Sequence, residues 1–452
     1  MDRPSIRSGR STGIDAINSI NGPVSLIILT NGDKTFYLLG DEHDSKDRGC
    51  AGGCVALNER ASNLIHTEKK CMDINAALHT WLLYNNQEGI ETDVFYEAPF
   101  IHKSKHVRKR GVTQDLDRFG NKMWLQTLTY LFGPCKTDKK ACVYSPSVRL
   151  HRNDIRQHLS DSGSVFADPF TYLAIRIPDD LDNIIEWSNT LNIIRKHVGV
   201  IINAITKPSG FSEIRQVINE LRANKNITGQ YGVAVLQTIE EMAKNITTKR
   251  AIVAGETPRI LHRVAAQILK LKSKDPKAVE ALYNYINNTS TSLAEQLASQ
   301  KDLQYLAVLK FLRDEGQEYE ALMIFNEFSS NLSLFCLFIG ALFMDVYTIA
   351  RALYYNSKEI ILYTGNIHNT NYLEILGTEL RYKNLLTLGS IGSGESTARF
   401  LVEEIGDIGT MSRCISSPKL EQYVGLGKKL QSITESGTLK NAEYILDDYA
   451  IS

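Results

Sequence analysis

The chain reads as an α/β protein: a mostly parallel sheet flanked by helices, with an all-α insertion and a helical C-terminal tail. Three observations predict this. Short apolar runs of strand length, such as VSLIIL, TFYLLG, DVFY and IILYTG, alternate with longer stretches of helical periodicity. Strands separated by helices of roughly ten or more residues need crossover connections, which make neighbouring strands parallel. Between about 175 and 330 the β-rich runs vanish and helical segments follow one another. The organisation that results is a discontinuous α/β core of 1–175 and 330–390, a helical insertion over 176–329 and a helical tail over 391–452.

Taken in order, residues 24–40 form a hairpin, with TNGDK as the turn signal between two apolar strands. A helical stretch over 56–86 follows, with INAALHTWLLYN as its apolar part, and then the β-rich TDVFYEAPF. Residues 121–133 are helical and end on Gly133, and PSVRLHRNDIRQHLSD reads as strand, turn, helix. The insertion contains helical segments at 178–205, 211–224, 230–247, 257–274 and 276–315. An apolar helix over 332–355 leads into KEIILYTGNIHNTNYLEIL, a strand, turn and helix, and ELRYKNLLTLG supplies a further strand. The segment after 390 is polar and rich in Gly and Ser.

Composition excludes several classes. With 43% hydrophobic and 23% charged residues the chain is neither disordered nor fibrous. Lys+Arg and Asp+Glu both number 51, so there is no basic excess of the kind nucleic-acid binding requires; the local run HKSKHVRKR reads as a solvated loop or an anion site. No nucleic-acid partner is expected. The N-terminus has no apolar segment of a secretory signal. The most apolar stretch, LSLFCLFIGALFM, ends at Asp345 and as a helix covers only ~20 Å, short of the ~30 Å of a hydrocarbon core; it reads as a buried helix, with no membrane span. Of seven cysteines, Cys50, Cys54 and Cys71 lie close in sequence with His66 between them, and Cys135 and Cys142 bracket a polar loop. A zinc knuckle, local disulfides and reduced thiols all remain open for this loose spacing.

Function is concentrated at the strand ends. FYLLG runs into Asp41, Glu42 and His43; DVFY runs into Glu97; SVRL, which contains Arg149, leads to His151, Asp154 and Arg156; IILYTG runs into Asn366 and His368. In open α/β sheets the ligand crevice lies at the carboxyl ends of the strands, so four such ends gather His43 and His368, several carboxylates and one or two Arg at one pocket. Each residue also has a plainer use: Asp41 and Asp154 as helix or turn caps, Glu97 as a surface acid before a Pro turn, the arginines as ion-pair partners, His368 as a polar first-turn residue. In the apolar helix Tyr347 and Arg351 share a face, and Arg351 is either a surface residue or reaches Glu97 or Asp41.

The motifs GDEH and GNIH, each after an apolar strand, resemble the paired Gly-x-x-His motifs of the superfamily that joins the TIKI/TraB proteins, the erythromycin esterases and the ChaN-like haem-binding proteins. The usual first motif is Gly-Glu-x-His, and this chain has Asp41 in place of that Glu, with Glu42 in the variable slot. Glu97, closing the next strand, fits the pattern. VRLHRNDIR and MDVYTIARALYYNSKEIILYTGNIHNTNY resemble uncharacterised proteins of large nucleocytoplasmic DNA viruses. The resemblance covers roughly 24–175 and 330–390. It implies a shared fold with varied chemistry: metal-dependent proteolysis, lactone-ester opening or haem binding. It also implies a location in infected-cell cytoplasm or in the virion.

Two devices suit this residue set. One is a divalent metal (Mn, Co or Zn) held by His43, His368, Asp41 and Glu97, activating a water. The other is metal-free hydrolysis with His as general base, oriented by carboxylates, and Arg149 or Arg156 stabilising an oxyanion. No Gly-x-Ser-x-Gly follows an apolar strand, as a nucleophile elbow requires, and no P-loop is present. The expectation is a hydrolase of ester, amide or peptide bonds, with a small-molecule or peptide substrate. The alternatives are a non-enzymatic, capsid-associated virion protein that contacts other virion proteins, and a haem or small-ligand binder.

Overall fold

The computed structural model describes residues 16–41, 50, 54, 70–99, 147–154, 260–297, 341–389 and 414–438, with isolated positions between 216 and 323. Nine strands are formed among them: β1 (Ser19–Asn21), β2 (Ser25–Thr30), β3 (Thr35–Asp41), β4 (Cys71–Asp73), β5 (Thr92–Pro99), β6 (Val148–Asp154), β7 (Glu359–Gly365), β8 (Lys383–Gly389) and β9 (Cys414–Ser416). The helices are α1 (Ile74–Gln87), α2 (Ile260–Lys272), α3 (Pro276–Leu297), α4 (341–354), α5 (Asn366–Leu373), α6 (Lys419–Tyr423) and α7 (Leu426–Glu435), with a π-helical segment Glu374–Glu379 continuing α5.

The principal sheet has six strands in the order β6-β5-β7-β3-β2-β8. Pairs β6/β5, β5/β7 and β7/β3 are parallel; β2 is antiparallel to both β3 and β8. This is the mostly parallel, helix-flanked sheet that the strand–helix alternation predicts. The β2–β3 hairpin forms because Asn31 Oδ1 accepts from the amides of Asp33 and Lys34 while Gly32 takes φ 95°, an Asx-supported turn. The strand at β7 is inserted between β3 and β5 although it lies some 260 residues beyond β5, so the two ends of the core are woven through one sheet.

Side chains alternate along each strand, so the sheet has two distinct faces. One carries Tyr37, Leu39, Val94, Tyr96, Ile361 and Tyr363, and joins α1 and α7 in a single apolar cluster that includes Leu78, Trp81, Leu426 and Leu430. Glu359 accepts from Trp81 Nε1 at 2.8 Å and Asn85 Nδ2 at 2.7 Å, which fixes α1 to the start of β7. Residues 414–438 therefore do more than form a tail. They add β9 to a small sheet, β4-β1-β9, and contribute Leu420, Leu426, Leu430 and Ile433 to the core. The sequence reading placed a separate helical tail here; burial of these four apolar side chains ties the segment to the core domain.

The other face meets α5, which folds back onto β3 and β7, and α4. Residues 341–350 of α4 are all buried, Asp345 and Thr348 among them. Lys34 in the hairpin donates to the carbonyls of Ala352, Leu353 and Tyr355, capping the C-terminus of α4 where the helix dipole favours a cation. Burial holds the Lys34 ammonium down at about 8. Helices α2 and α3 pack as a pair on this side, with Gln267 and Lys274 reaching the carbonyls of Ala350 and Tyr354. All regular structure among the described residues of 176–329 is helical. No helix of the described residues is long and apolar enough to cross a membrane.

Two disulfides join Cys50 to Cys414 and Cys54 to Cys71. The first is not local: 364 positions separate its partners. The helix expected at 121–133, and Cys135 and Cys142, lie outside the described residues.

Candidate functional site

The carboxyl ends of β3, β5 and β7 meet side by side. Asp41, the last residue of β3, pairs with Gly365, the last residue of β7, and is buried. Glu97 closes the neighbouring strand, and its Oε2 accepts the Gly365 amide at 2.8 Å. Gly365 immediately precedes the first turn of α5, so Glu97 caps the helix from outside and sits at the positive end of its dipole.

His368 stands in the first turn of α5, two per cent exposed. Its Nδ1 is 2.7 Å from Asp345 Oδ1, and its Nε2 is 3.6 Å from Glu97 Oε1. Asp345 is itself held by Asn371 Nδ2 at 2.6 Å, one turn further along α5. The ring of Tyr372 stacks near the imidazole, with centroids 6.3 Å apart. Burial disfavours a charged imidazole. The facing carboxylates Asp345 and Glu97 outweigh it and push the His368 pKa up to about 10, which favours the imidazolium. Burial and the same anions push the Tyr372 phenol well above its usual value.

An imidazolium cannot serve as a general base. Two carboxylates flank the ring where one would orient a base, an arrangement that favours a proton-donating or electrostatic role for His368. The 3.6 Å gap to Glu97 is too long for a direct hydrogen bond. It suits a third atom placed between the two.

Gly40 explains the glycine of GDEH. A Cβ there would come within 2.7 Å of Asn369 Nδ2 and closer still to Ser25 Oγ and Asn366 Oδ1. Only glycine lets α5 pack directly on β3. Ser25 Oγ donates to Asn366 Oδ1 at 2.5 Å and accepts from Asn369 at 3.0 Å, fixing the helix that carries His368.

Arg149 is placed elsewhere. Strand β6 runs from Val148 to Asp154, so Arg149 lies near its beginning, paired with Asp93 of β5. Asp93 precedes Glu97 by four residues, about 13 Å along a strand at ~3.3 Å per residue. Arg149 Nε and Nη2 make a forked pair with the Asp93 carboxylate at 2.8 and 3.0 Å, and Nη2 reaches Ser357 Oγ at 2.6 Å. His151 Nε2 is 2.7 Å from Asp93 Oδ1, stacked between Phe95 and Tyr355, and Ser357 donates to Asp93 as well. Burial tends to raise the Asp93 carboxyl. The bonds from His151, Arg149 and Ser357 reverse that and hold it well below the usual carboxylate range. An oxyanion role for Arg149 is thus replaced by an ion pair that ties β5, β6 and the start of β7 together.

Arg351 is half-buried on α4, donates to the Tyr347 hydroxyl at 3.2 Å and lies near enough to His151 to disfavour its protonation. Asp154 ends β6 opposite Pro99; its side chain, with Glu42, His43 and Arg156, lies outside the described residues. The expected approach of His43 to His368 falls there too. Among the described residues the one group of three metal-ligating side chains close enough for a single ion is Cys50, Cys54 and Cys71.

Sequence reasoning missed Asp345, Asn371 and Tyr372. Asp345 reads from the sequence only as the end of the apolar stretch 332–344 within the helix expected over 332–355, yet it stands fully buried inside α4. An acid in an otherwise apolar helix demands a cationic or donor partner, and that was the available signal. Comparison with protein-family models, with curated proteins and with solved structures returned no match.

Proposed function

We propose that the carboxyl edge of the sheet is a hydrolytic site for ester, amide or peptide bonds, with Glu97 as general base and the His368 imidazolium as general acid. The observation that carries this reading is the Asp345–His368–Glu97 array: a buried ring oriented through Nδ1, with Nε2 and a strand-end carboxylate facing each other across 3.6 Å. Orientation of an imidazole through Nδ1 by a buried acid is how catalytic and metal-bound histidines are held.

In the proposed reaction Glu97 takes a proton from water as the water oxygen bonds to the substrate carbonyl carbon. The resulting oxyanion is drawn to the imidazolium. Collapse breaks the C–O or C–N bond, and the Nε2 proton passes to the leaving atom. The proton on Glu97 then returns to Nε2. A divalent ion, were it the working cofactor, would be held by His368 Nε2 and Glu97 Oε1, with Asp345 behind the ring and His43 as the expected further donor, and would supply a water of lowered pKa.

The experiment is a panel of esters, lactones and peptides offered to wild type, Glu97→Gln and His368→Asn, with circular dichroism to confirm folding. Each variant should lose at least about 10²-fold in kcat/KM. Full turnover by either folded variant sinks the assignment. Failure of wild type across the panel, combined with a fixed copy number in particles, supports the virion-protein alternative instead.

A further inference from the structure

We propose that Cys50, Cys54, Cys71 and Cys414 are the four ligands of a tetrathiolate zinc site, of which the two disulfides are the oxidised form. The inference is independent of the hydrolytic reading. Cys71 on β4 pairs with Ser19 of β1, and Cys414 on β9 pairs with Asn21 of β1. Positions 19 and 21 lie on one face of β1, so the two cysteines project from the flanking strands onto the same face of the small sheet. Cys50 is brought to that face by its amide, which donates to Asn21 Oδ1 at 3.1 Å, and its sulfur lies 3.6 Å from the Ile20 carbonyl.

The sulfurs of Cys50, Cys54 and Cys71 all lie within 4.8 Å of one another, and Cys414 is bonded to Cys50. Three sulfurs therefore cluster within 4.8 Å of one another, and the fourth, from a strand more than 340 positions further along the chain, is held to them through Cys50. Two independent staples have no need to share a location; a tetrahedral ion does. With Zn–S near 2.3 Å, ligand sulfurs sit about 3.8 Å apart, so the cluster is already close to the spacing one ion sets. Zinc is favoured over harder cations by an all-thiolate donor set.

The chemistry balances simply. Two equivalents of a dithiol reductant convert the two disulfides to four thiols, each equivalent leaving as a cyclic disulfide. Binding of Zn²⁺ then forms four Zn–S bonds and releases four protons. The site would clasp β4, β1 and β9, and with them both ends of the described chain, to Cys50, which follows Asp41 by nine positions.

The test uses the full chain purified under dithiothreitol without chelator. Elemental analysis should find one zinc per chain, and replacement by Co²⁺ should give thiolate-to-cobalt charge transfer with the intense visible bands of a tetrahedral site. Oxidation with diamide should expel the metal as four thiols disappear from titration. The metal should persist in a Cys135→Ser/Cys142→Ser/Cys336→Ser variant and in a Glu97→Gln/His368→Asn variant, and fall away in Cys414→Ser. Wild-type measurements stand even if Cys414→Ser fails to fold. Reduced wild type with its thiols titratable, no stoichiometric zinc and no Co²⁺ charge-transfer band overturns the proposal. So does loss of the metal from either background variant.

Discussion

Asp345 and His368, 23 positions apart in the chain, meet through a 2.7 Å hydrogen bond from one buried side chain to the other. The bond joins α4 to α5 and decides which ring nitrogen faces Glu97. A buried, paired acid beside a charged ring is also a stability element, because neither partner can be discharged without leaving the other stranded.

That pairing predicts a pH dependence with a defined sign. The His368 pKa is pushed from near 6.5 to about 10, so the folded state holds this proton more tightly than the unfolded chain does. The stability it contributes is fully present below about 6.5 and is lost as pH rises to about 10. Lys34, lowered by burial from 10.5 to about 8, acts oppositely over that upper window. The informative quantity is therefore the difference between wild type and His368→Gln in chemical denaturation, which should shrink steadily from pH 6.5 to 10. A difference that grows over that range contradicts the ion pair.

His79 and His151 predict the acid side. Both are lowered from near 6.5 to about 4, burial being the leading cause in each. The folded protein resists charging them, so stability present above about 6.5 is lost as pH falls to about 4. His79→Gln should flatten that limb in urea melts, and an unchanged acid limb in this variant would remove His79 from the account.

Asp93 predicts a structural effect without a chemical one. It gathers Arg149, His151 and Ser357 around one carboxylate. Asp93→Ala leaves three polar groups facing a hole and should cost about 3 kcal/mol, the lower end for breaking a buried pair because Arg149 keeps partial solvent access. Turnover per folded molecule should stay near wild type. A loss of kcat beyond the unfolded fraction would bring this cluster back into the site.

How much of this was legible in the sequence follows from the range of the interactions. The β2–β3 hairpin, β5, β7 and the parallel sheet were readable because hydrophobic period and turn chemistry are local signals. Strand ends gave Asp41, Glu97 and His368 for the same reason. Asp345 was hidden because its role depends on a residue 23 positions away, and the apolar run around it looked self-sufficient. Arg149 was misplaced because SVRL looked like a complete strand, whereas the strand continues to Asp154 and leaves Arg149 at the far end from Glu97. The short strands β1 and β9, three residues each, have no periodicity to read. Cys414 had no sequence neighbour to pair with, so only the folded chain reveals its company.

Gly40 offers a test of how tightly α5 is seated. Gly40→Ala forces the new methyl group against Ser25, Asn366 and Asn369 and should cost about 1–3 kcal/mol as an overpacking substitution. Removing the hydroxyl it strikes, in Gly40→Ala/Ser25→Ala, should recover part of that cost, giving a coupling energy in a double-mutant cycle. Additive effects of the two substitutions would show that the contact is not what excludes a side chain at position 40.

The last prediction separates the acid–base and metal forms of the hydrolytic proposal. If the imidazolium donates a proton, activity requires His368 protonated, so the rate should decline as pH passes about 10. Asp345→Asn removes the nearer of the two anions that support the charged ring. It should pull this alkaline limb toward neutrality while leaving Glu97 free to accept a proton, so kcat near pH 6 should suffer less than kcat near pH 9. A metal-centred site behaves differently. Its His368 is already deprotonated by the ion, so no alkaline limb tracks the Asp345 substitution, and Asp345→Asn instead weakens metal retention by about 10–100-fold, the usual penalty for losing an outer carboxylate. Elemental analysis after dialysis reads that loss directly, provided the cysteine cluster is first occupied or removed so that its zinc is not counted. Glu97→Gln completes the comparison: it lowers ion content in the metal form, and in the acid–base form it abolishes turnover with no change in ion content, because an amide cannot take the proton from water.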